Sequence, residues 1–271
     1  MTIPSSNLMK GKRGLIMGVA NDHSIAWGIA KTLADHGAEL AFTYQGDAFK
    51  KRVEPLLAEV GSDTLLPCEV TNESDLDAVF AALEKKWGKI DFLVHAIAYS
   101  NKEELKGHYV DTTLENFLNT MHISCFSFTS VMRRAAKLMT DGGSAITLSY
   151  YGAEKVMPSY NVMGVAKAAL EASVRYLAAD VGTKNIRVNG ISAGPMRTLA
   201  GSAIGSARTT FKYNTVTAPL RRNVELEELG GAGLYLLSDL STAVTGEIHY
   251  VDCGYNVMGM PPHESLKELA S

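Results

Sequence analysis

Cysteine is scarce in this chain. Its three cysteines, Cys68, Cys125 and Cys253, are widely separated and form no Cys-x-x-Cys pair. An odd, dispersed set points to reduced thiols in a cytoplasmic protein, and it offers no metal-ligand spacing. By residue type each reads as a small core residue. A basic excess is missing too. Lysine and arginine number 26 against 29 acidic residues, a formal net charge of −3, whereas a nucleic-acid binder usually carries surplus positive charge. No apolar run reaches the length needed to cross a bilayer. The opening Met-Thr-Ile-Pro-Ser-Ser-Asn has neither the basic start nor the apolar centre of a secretory signal. Repeats, low-complexity tracts and linkers are absent. At 46% hydrophobic and 20% charged residues, the composition is that of an ordinary globular protein, read as a single domain over residues 1–271.

Strand-like and helix-like segments alternate without a break. Strands are predicted at 14–19, 39–44, 63–70, 90–96, 144–149, 186–192 and 247–252. Helices are predicted at 24–36, 48–60, 74–87, 114–139, 160–182 and 225–238. Gly37, Gly61, Gly88 and the Asp-Gly-Gly at 141–143 supply stops. Strands joined by helices imply a parallel sheet covered on both faces. Right-handed crossovers then give a Rossmann-like, doubly wound, seven-stranded α/β fold with its crevice at the carboxyl ends of the strands. A (β/α)₈ barrel would need an eighth unit, and the link at 194–224 is long and irregular.

The glycine fingerprint of dinucleotide folds is also incomplete. Gly18 alone holds a glycine position in the turn leading to Ser24-Ile25-Ala26-Trp27-Gly28. Such a turn still lets backbone N–H groups and a helix N-terminus face a pyrophosphate, with Ser24 suited to the N-cap. The second strand ends Thr43-Tyr44-Gln45-Gly46-Asp47, with no lysine or arginine in the first three positions after Tyr44 to take a 2′-phosphate. Gln45 suits neutral hydroxyls and Asp47 repels phosphate, so NADH is expected over NADPH. Lys50, Lys51 and Arg52 read as a solvated helix face. Cys68-Glu69-Val70 would lie against the adenine, and His95-Ala96-Ile97-Ala98 beneath the nicotinamide ribose.

The most informative spacing is Ser159-Tyr160-Asn161-Val162-Met163-Gly164-Val165-Ala166-Lys167. Seven helical residues bring Tyr160 and Lys167 to nearly one azimuth, while Met163, one turn before the lysine, cannot donate a proton. Together with the Gly18-x₅-Ser24 loop, Leu148-Ser149-Tyr150-Tyr151-Gly152 and the Arg187–Thr198 stretch, the chain resembles the bacterial NADH-dependent enoyl-acyl-carrier-protein reductases. These form a divergent branch of the short-chain dehydrogenases and reductases, and the resemblance covers roughly residues 8–260. The ordinary branch shows Tyr-x₃-Lys. In carbonyl reduction the acid touches the oxygen of the carbon that receives hydride. In enoyl thioester reduction hydride goes to Cβ, and charge develops on an oxygen two bonds away. Displacing the tyrosine by three residues moves its Cα by about 4.5 Å along a helix.

The resemblance implies reduction of the trans-2 double bond of enoyl thioesters on acyl carrier protein, closing the fatty acid elongation cycle. It assigns Tyr160, Lys167 and Tyr150 to catalysis. Gly18, Ser24, Ile25, Gln45, Glu69, Val70, Ala96, Ile97, Lys167, Pro195, Met196 and Thr198 would surround NADH. Ala98, Tyr99, Tyr150, Tyr160 and Met163 would face the acyl chain. Ala96 and Ala98 stand where the family often has a small polar residue and a glycine. Lys167 is expected to hold the ribose hydroxyls and make the phenol more acidic. Residues 194–215 carry Gly201 and Gly205, each costing a helix about 1 kcal/mol, and are read as a lid with Leu199, Ala203, Ile204 and Phe211 as its apolar face. Arg197, Arg208, Lys212, Arg221 and Arg222 are candidate docking charges for an acidic carrier. A homotetramer fits the family and the apolar helices 114–139 and 160–182. A carbonyl-reducing short-chain dehydrogenase and a non-enzymatic dinucleotide-binding sensor are the alternatives.

Overall fold

The computed structural model describes residues 3–198 and 207–265. Seven parallel strands form one sheet: β1 Arg13–Met17, β2 Glu39–Tyr44, β3 Leu65–Pro67, β4 Phe92–His95, β5 Gly143–Ser149, β6 Ile186–Ala193 and β7 Ile248–Val251. Their spatial order is β3-β2-β1-β4-β5-β6-β7. The chain winds outward from β1 in one direction and then from β4 in the other. The order reverses between β1 and β4, where Met17 is in register with His95, and a crevice opens beyond their carboxyl ends.

The sheet is buried on both faces, and alternate residues of each strand serve opposite cores. Ile16, Phe42, Val94, Ile146 and Ile191 pack with helix α1 (Ile25–Asp35) and with Leu229 and Leu236 of a late helix at Leu226–Leu237. Leu15, Met17, Ala41, Leu93 and Val188 pack on the other face against α3 (Glu73–Trp87), α6 (Ser127–Leu138) and α7 (Asn161–Val181). The other α-helices are α2 (Gly46–Val53), α4 (Lys102–Lys106), α5 (Leu114–Met121), α8 (Ala207–Thr217) and α9, the helix at Leu226–Leu237.

Three elements depart from their predicted form. The helix expected at 48–60 becomes α2 followed by a 3₁₀ turn at Glu54–Val60, since Pro55 has no N–H to continue an α ladder. The third strand is three residues long because it lies at the sheet edge and ends on Pro67. The long helix at 114–139 is α5 and α6 joined through a π turn at His122–Phe126. Cys68 and Cys125 are buried and Cys253 half-buried, all as free thiols; burial pushes the Cys68 thiol up to about 12. Among the described residues no helix is long and apolar enough to cross a membrane, and no group of three or more His, Cys, Asp or Glu is placed to hold a metal ion.

Candidate active site

The floor of the crevice is made by the ends of β1 and β4. Gly18 has φ +99°, and a Cβ built there would lie 2.1 Å from the Ala96 carbonyl oxygen, so no larger residue fits this turn. The Ala96 N–H donates to the Met17 carbonyl at 3.0 Å. Ser24 occupies the N-cap of α1, but its hydroxyl does not cap the helix. It accepts the N–H groups of Ala20 and Asn21 at 3.0 and 3.1 Å instead, bracing the turn. The first-turn amides of α1 therefore gain no acceptor from this serine, and no acidic residue stands in that turn. Such donors suit the oxygens of a pyrophosphate, and the turn fits a dinucleotide.

Gln45 and Glu69, predicted along the adenosine, meet each other: the Gln45 amide donates to the Glu69 carboxylate. The second carboxylate oxygen accepts the N–H and hydroxyl of Thr71 at 3.1 and 3.0 Å. Val70 is buried beside them. Ile25, Ala96 and Met196 pack against the core on the α1 face and Ile97 against the opposite one. Pro195 and Thr198 follow β6 at the same end of the sheet.

Tyr160 directly precedes α7 as its N-cap residue, so the seven-residue step to Lys167 starts half outside the helix. It is flanked by two residues in the left-handed region, Ser159 (φ 59°) and Asn161 (φ 40°). Its ring is buried with Leu105, Val162 and Met163, against the partly buried Phe117, Tyr150 and Met157. Tyr150 meets it edge-on, with ring centroids 5.1 Å apart and planes at 75°. Gly152 makes room for it: a Cβ there would lie 2.4 Å from Cδ1 of Tyr160. Lys167 is buried on α7 and its Nζ donates to the Leu148 carbonyl at 2.6 Å.

Burial governs the titration of both groups. The Tyr160 phenol is raised, first by burial and then by Tyr150 and Glu171. Burial lowers the Lys167 amine to about 8, against the opposing pull of Cys125 and Glu171. The acidified phenol expected from the sequence is thus not found. Desolvation opposes its ionisation.

The structure adds Glu171 and Ser124, which sequence reasoning did not single out, and gives the strand-end residue His95 a defined setting. Glu171, one turn beyond Lys167, is buried and accepts the Ser149 hydroxyl at 2.5 Å; burial pushes its carboxyl up. His95 is enclosed between Thr147 Oγ1, 3.1 Å from Nδ1, and Ser127 Oγ, 2.9 Å from Nε2. Burial pushes it down to about 3, so its ring is neutral. Ala98 and Tyr99 are exposed at the crevice rim. Ser124 in the π turn accepts the Tyr99 N–H at 2.9 Å and donates to its carbonyl at 3.0 Å. The i, i+4, i+8 spacing of Asn116, Thr120 and Ser124 was the available signal: a polar stripe on an otherwise apolar helix.

A dinucleotide turn at the β1–β4 switch point, with a tyrosine and a lysine flanking the start of α7 beside β5, defines a nucleotide-dependent oxidoreductase of the short-chain dehydrogenase/reductase class. Residues 18–256 match the family described as Enoyl-(Acyl carrier protein) reductase. The NADH-dependent enoyl-[acyl-carrier-protein] reductase 2 of Rhizobium meliloti is 64% identical over 262 residues, covering 97% of this chain and 98% of that protein. The corresponding protein of Rickettsia typhi is 57% identical over 255 residues, covering 94% and 98%. The crystal structure of the Anaplasma phagocytophilum reductase in complex with NAD superposes with a TM-score of 0.93 at 57% identity, covering 96% of this chain and all of that one. The chain belongs to the enoyl-acyl-carrier-protein reductase family, and the resemblance drawn from the Tyr-x₆-Lys segment holds.

Proposed function

We infer that the chain reduces the trans-2 double bond of enoyl thioesters on acyl carrier protein with NADH, the last step of a fatty acid elongation cycle. The observation that carries this reading is the buried Met163 one turn before Lys167, with the phenol placed at 160. A carbonyl-reducing enzyme needs its acid where the thioether stands.

Bound in this crevice, NADH would supply the hydride that adds to the substrate Cβ, and a proton delivered to Cα from tyrosine or water would complete the reduction. Tyr160 donates a hydrogen bond to the thioester oxygen as negative charge develops there. Its raised pKa keeps the phenol protonated at neutral pH and therefore a donor. A donor aimed at developing charge is worth about 2.7–4 kcal/mol in comparable oxyanion sites. Tyr150, edge-on to Tyr160, fixes the ring and lines the pocket. Lys167, anchored on the Leu148 carbonyl, presents its remaining donors to the nicotinamide ribose hydroxyls. Gly18 and the amides of Ile25 and Ala26 hold the pyrophosphate; Gln45, Glu69 and Val70 hold the adenosine; Ala96, Ile97, Pro195, Met196 and Thr198 enclose the nicotinamide side. The acyl chain lies along Ala98, Tyr99 and Met163.

The stretch 194–215 acts as a lid. Leu199, Ala203 and Ile204 lie outside the described residues. Phe211 is on α8, and the Arg197 guanidinium stacks over its ring at 4.7 Å. The carrier docks beside this region, the enzyme works in the cytoplasm, and it assembles as a homotetramer. The exposed Leu114 and Leu118 on α5, and a groove lined by Met121, His122, Cys125, Phe126, Thr129 and Ser173, favour self-association. NADH oxidation measured with crotonyl and longer enoyl thioesters, beside a panel of ketones, tests the reading. Turnover of ketones in preference to enoyl thioesters would overturn it.

A further inference from the structure

Asn161 is not among the residues assigned to chemistry or to ligand binding, yet its side chain makes an unusual set of contacts. Its Nδ2 donates to three backbone carbonyls: Glu104 at 3.1 Å, Leu105 at 3.2 Å and Gly107 at 2.8 Å. These carbonyls belong to the C-terminal end of α4, where a helix leaves its last oxygens without intrahelical partners. Two amide hydrogens are shared among three acceptors. The backbone of Asn161 is left-handed, a conformation asparagine tolerates better than most residues.

Both neighbouring residues hold the same point of α4. The Leu105 side chain is buried against Tyr160, and the Leu105 carbonyl is bound by Asn161. Glu104 extends the connection. Its carboxylate accepts the Thr113 N–H at 3.0 Å, the Thr113 hydroxyl at 2.9 Å and the Asn116 amide at 3.1 Å. Asn116 in turn accepts the Asn101 N–H at 3.0 Å. A continuous polar network thus runs from Ser100 and Asn101 at the rim of the crevice, through Asn116 and α4, to the residue next to the proposed donor.

We propose that Asn161 is a positioning residue for enoyl reduction: its amide clamps the end of α4 and thereby fixes the Tyr160 ring against the acyl-binding wall. The proposal rests on the role given to Tyr160 above. Loss of the clamp lets α4 and the ring move together. The phenol then no longer meets the thioester oxygen, while the dinucleotide turn at Gly18 is untouched.

Asn161→Asp keeps shape and tolerance of the left-handed backbone but turns an acceptor toward three carbonyls. Asn161→Gly keeps the backbone freedom and removes the amide. Both variants should lower kcat about tenfold or more, with KM for the enoyl thioester and Kd for NADH within about threefold. In a Tyr160→Phe background, adding Asn161→Asp should change kcat by less than about twofold, because the two residues act as one unit. Amide exchange over 103–107, which needs no turnover, should accelerate in both variants. Wild-type kcat in either variant, an undiminished effect in the Tyr160→Phe background, or unchanged exchange over 103–107 would overturn the proposal. Failure of the wild-type enzyme to reduce any enoyl thioester would instead remove the functional reading, and the exchange measurement would still decide whether Asn161 clamps α4.

Discussion

Burial acts in opposite directions on Tyr160 and Lys167, and both shifts favour the neutral form. The phenol is raised and stays a donor. Tyr160→Phe should therefore lower kcat by about 10²–10³ while KM changes far less, since the lost hydrogen bond matters mainly in the transition state; steady-state kinetics with an enoyl thioester read both. The Lys167 amine is lowered to about 8, so it loses its charge as pH rises through that value. NADH affinity should decline above about pH 8 in the wild type and show no such decline in Lys167→Met, which titrates nothing at this position; binding titrations across the range check it. His95 offers a separate test. Its folded pKa of about 3 lies below the ordinary imidazole value of 6.5, so the unfolded chain binds a proton that the folded one excludes. Its contribution to stability is complete above pH 6.5 and is lost as pH falls toward 3, amounting to about 2 kcal/mol by pH 5. In His95→Gln, stability measured by urea unfolding at pH 7 and pH 5 should fall by about that much less than in the wild type.

Among the elements, the π turn at His122–Phe126 joins two parts of the site. Ser124 within it holds the backbone of Tyr99 at the crevice rim, and Ser127 directly after it meets His95 at the end of β4. Ser127 also donates to the Ile123 carbonyl at 2.6 Å. Helix α8 is tied differently. Asn223 donates to the Phe211 carbonyl at 3.1 Å and to Thr215 Oγ1 at 2.8 Å, and Arg197 stacks on Phe211. If 194–215 closes over ligands, amide exchange across 207–217 should slow when NAD and an acyl thioester are both present. Equal protection with and without ligands would remove the lid.

For the molecule as a whole, the distribution of charge refines the docking hypothesis. Arg222 is paired with Glu228 at 2.6 Å, and Arg221 with Glu264 at 3.1 Å and with Ser265 at 2.8 Å. These two arginines are engaged within the chain, whereas Lys212 is exposed; with Arg208, it remains the expected contact with an acidic carrier. Reversing the charge at both should depress turnover of carrier-linked substrate several-fold more than turnover of a coenzyme A surrogate, with the gap narrowing at high salt. Equal losses on the two substrates would eliminate this face as the dock.

The alternation of apolar runs with helical periodicity was enough to specify a doubly wound parallel sheet, because burial of a strand on both faces leaves a local mark in composition. The Tyr160–Lys167 spacing was legible because it lies along one helix and its N-cap, whereas the reason for Gly18, the close approach of the Ala96 carbonyl, was not. The π turn and the start of α7 one residue after Tyr160 leave no mark in local periodicity, while the break at Pro55 was present in the sequence as a proline inside a predicted helix. The pairing of Gln45 with Glu69, the enclosure of His95 and the clamp of Asn161 on α4 join residues 24, 32, 52 and 54–57 positions apart. No periodicity records such separations. The ionisation of Tyr160 and Lys167 likewise follows from how much water the folded chain removes from around them, a property of the assembled core.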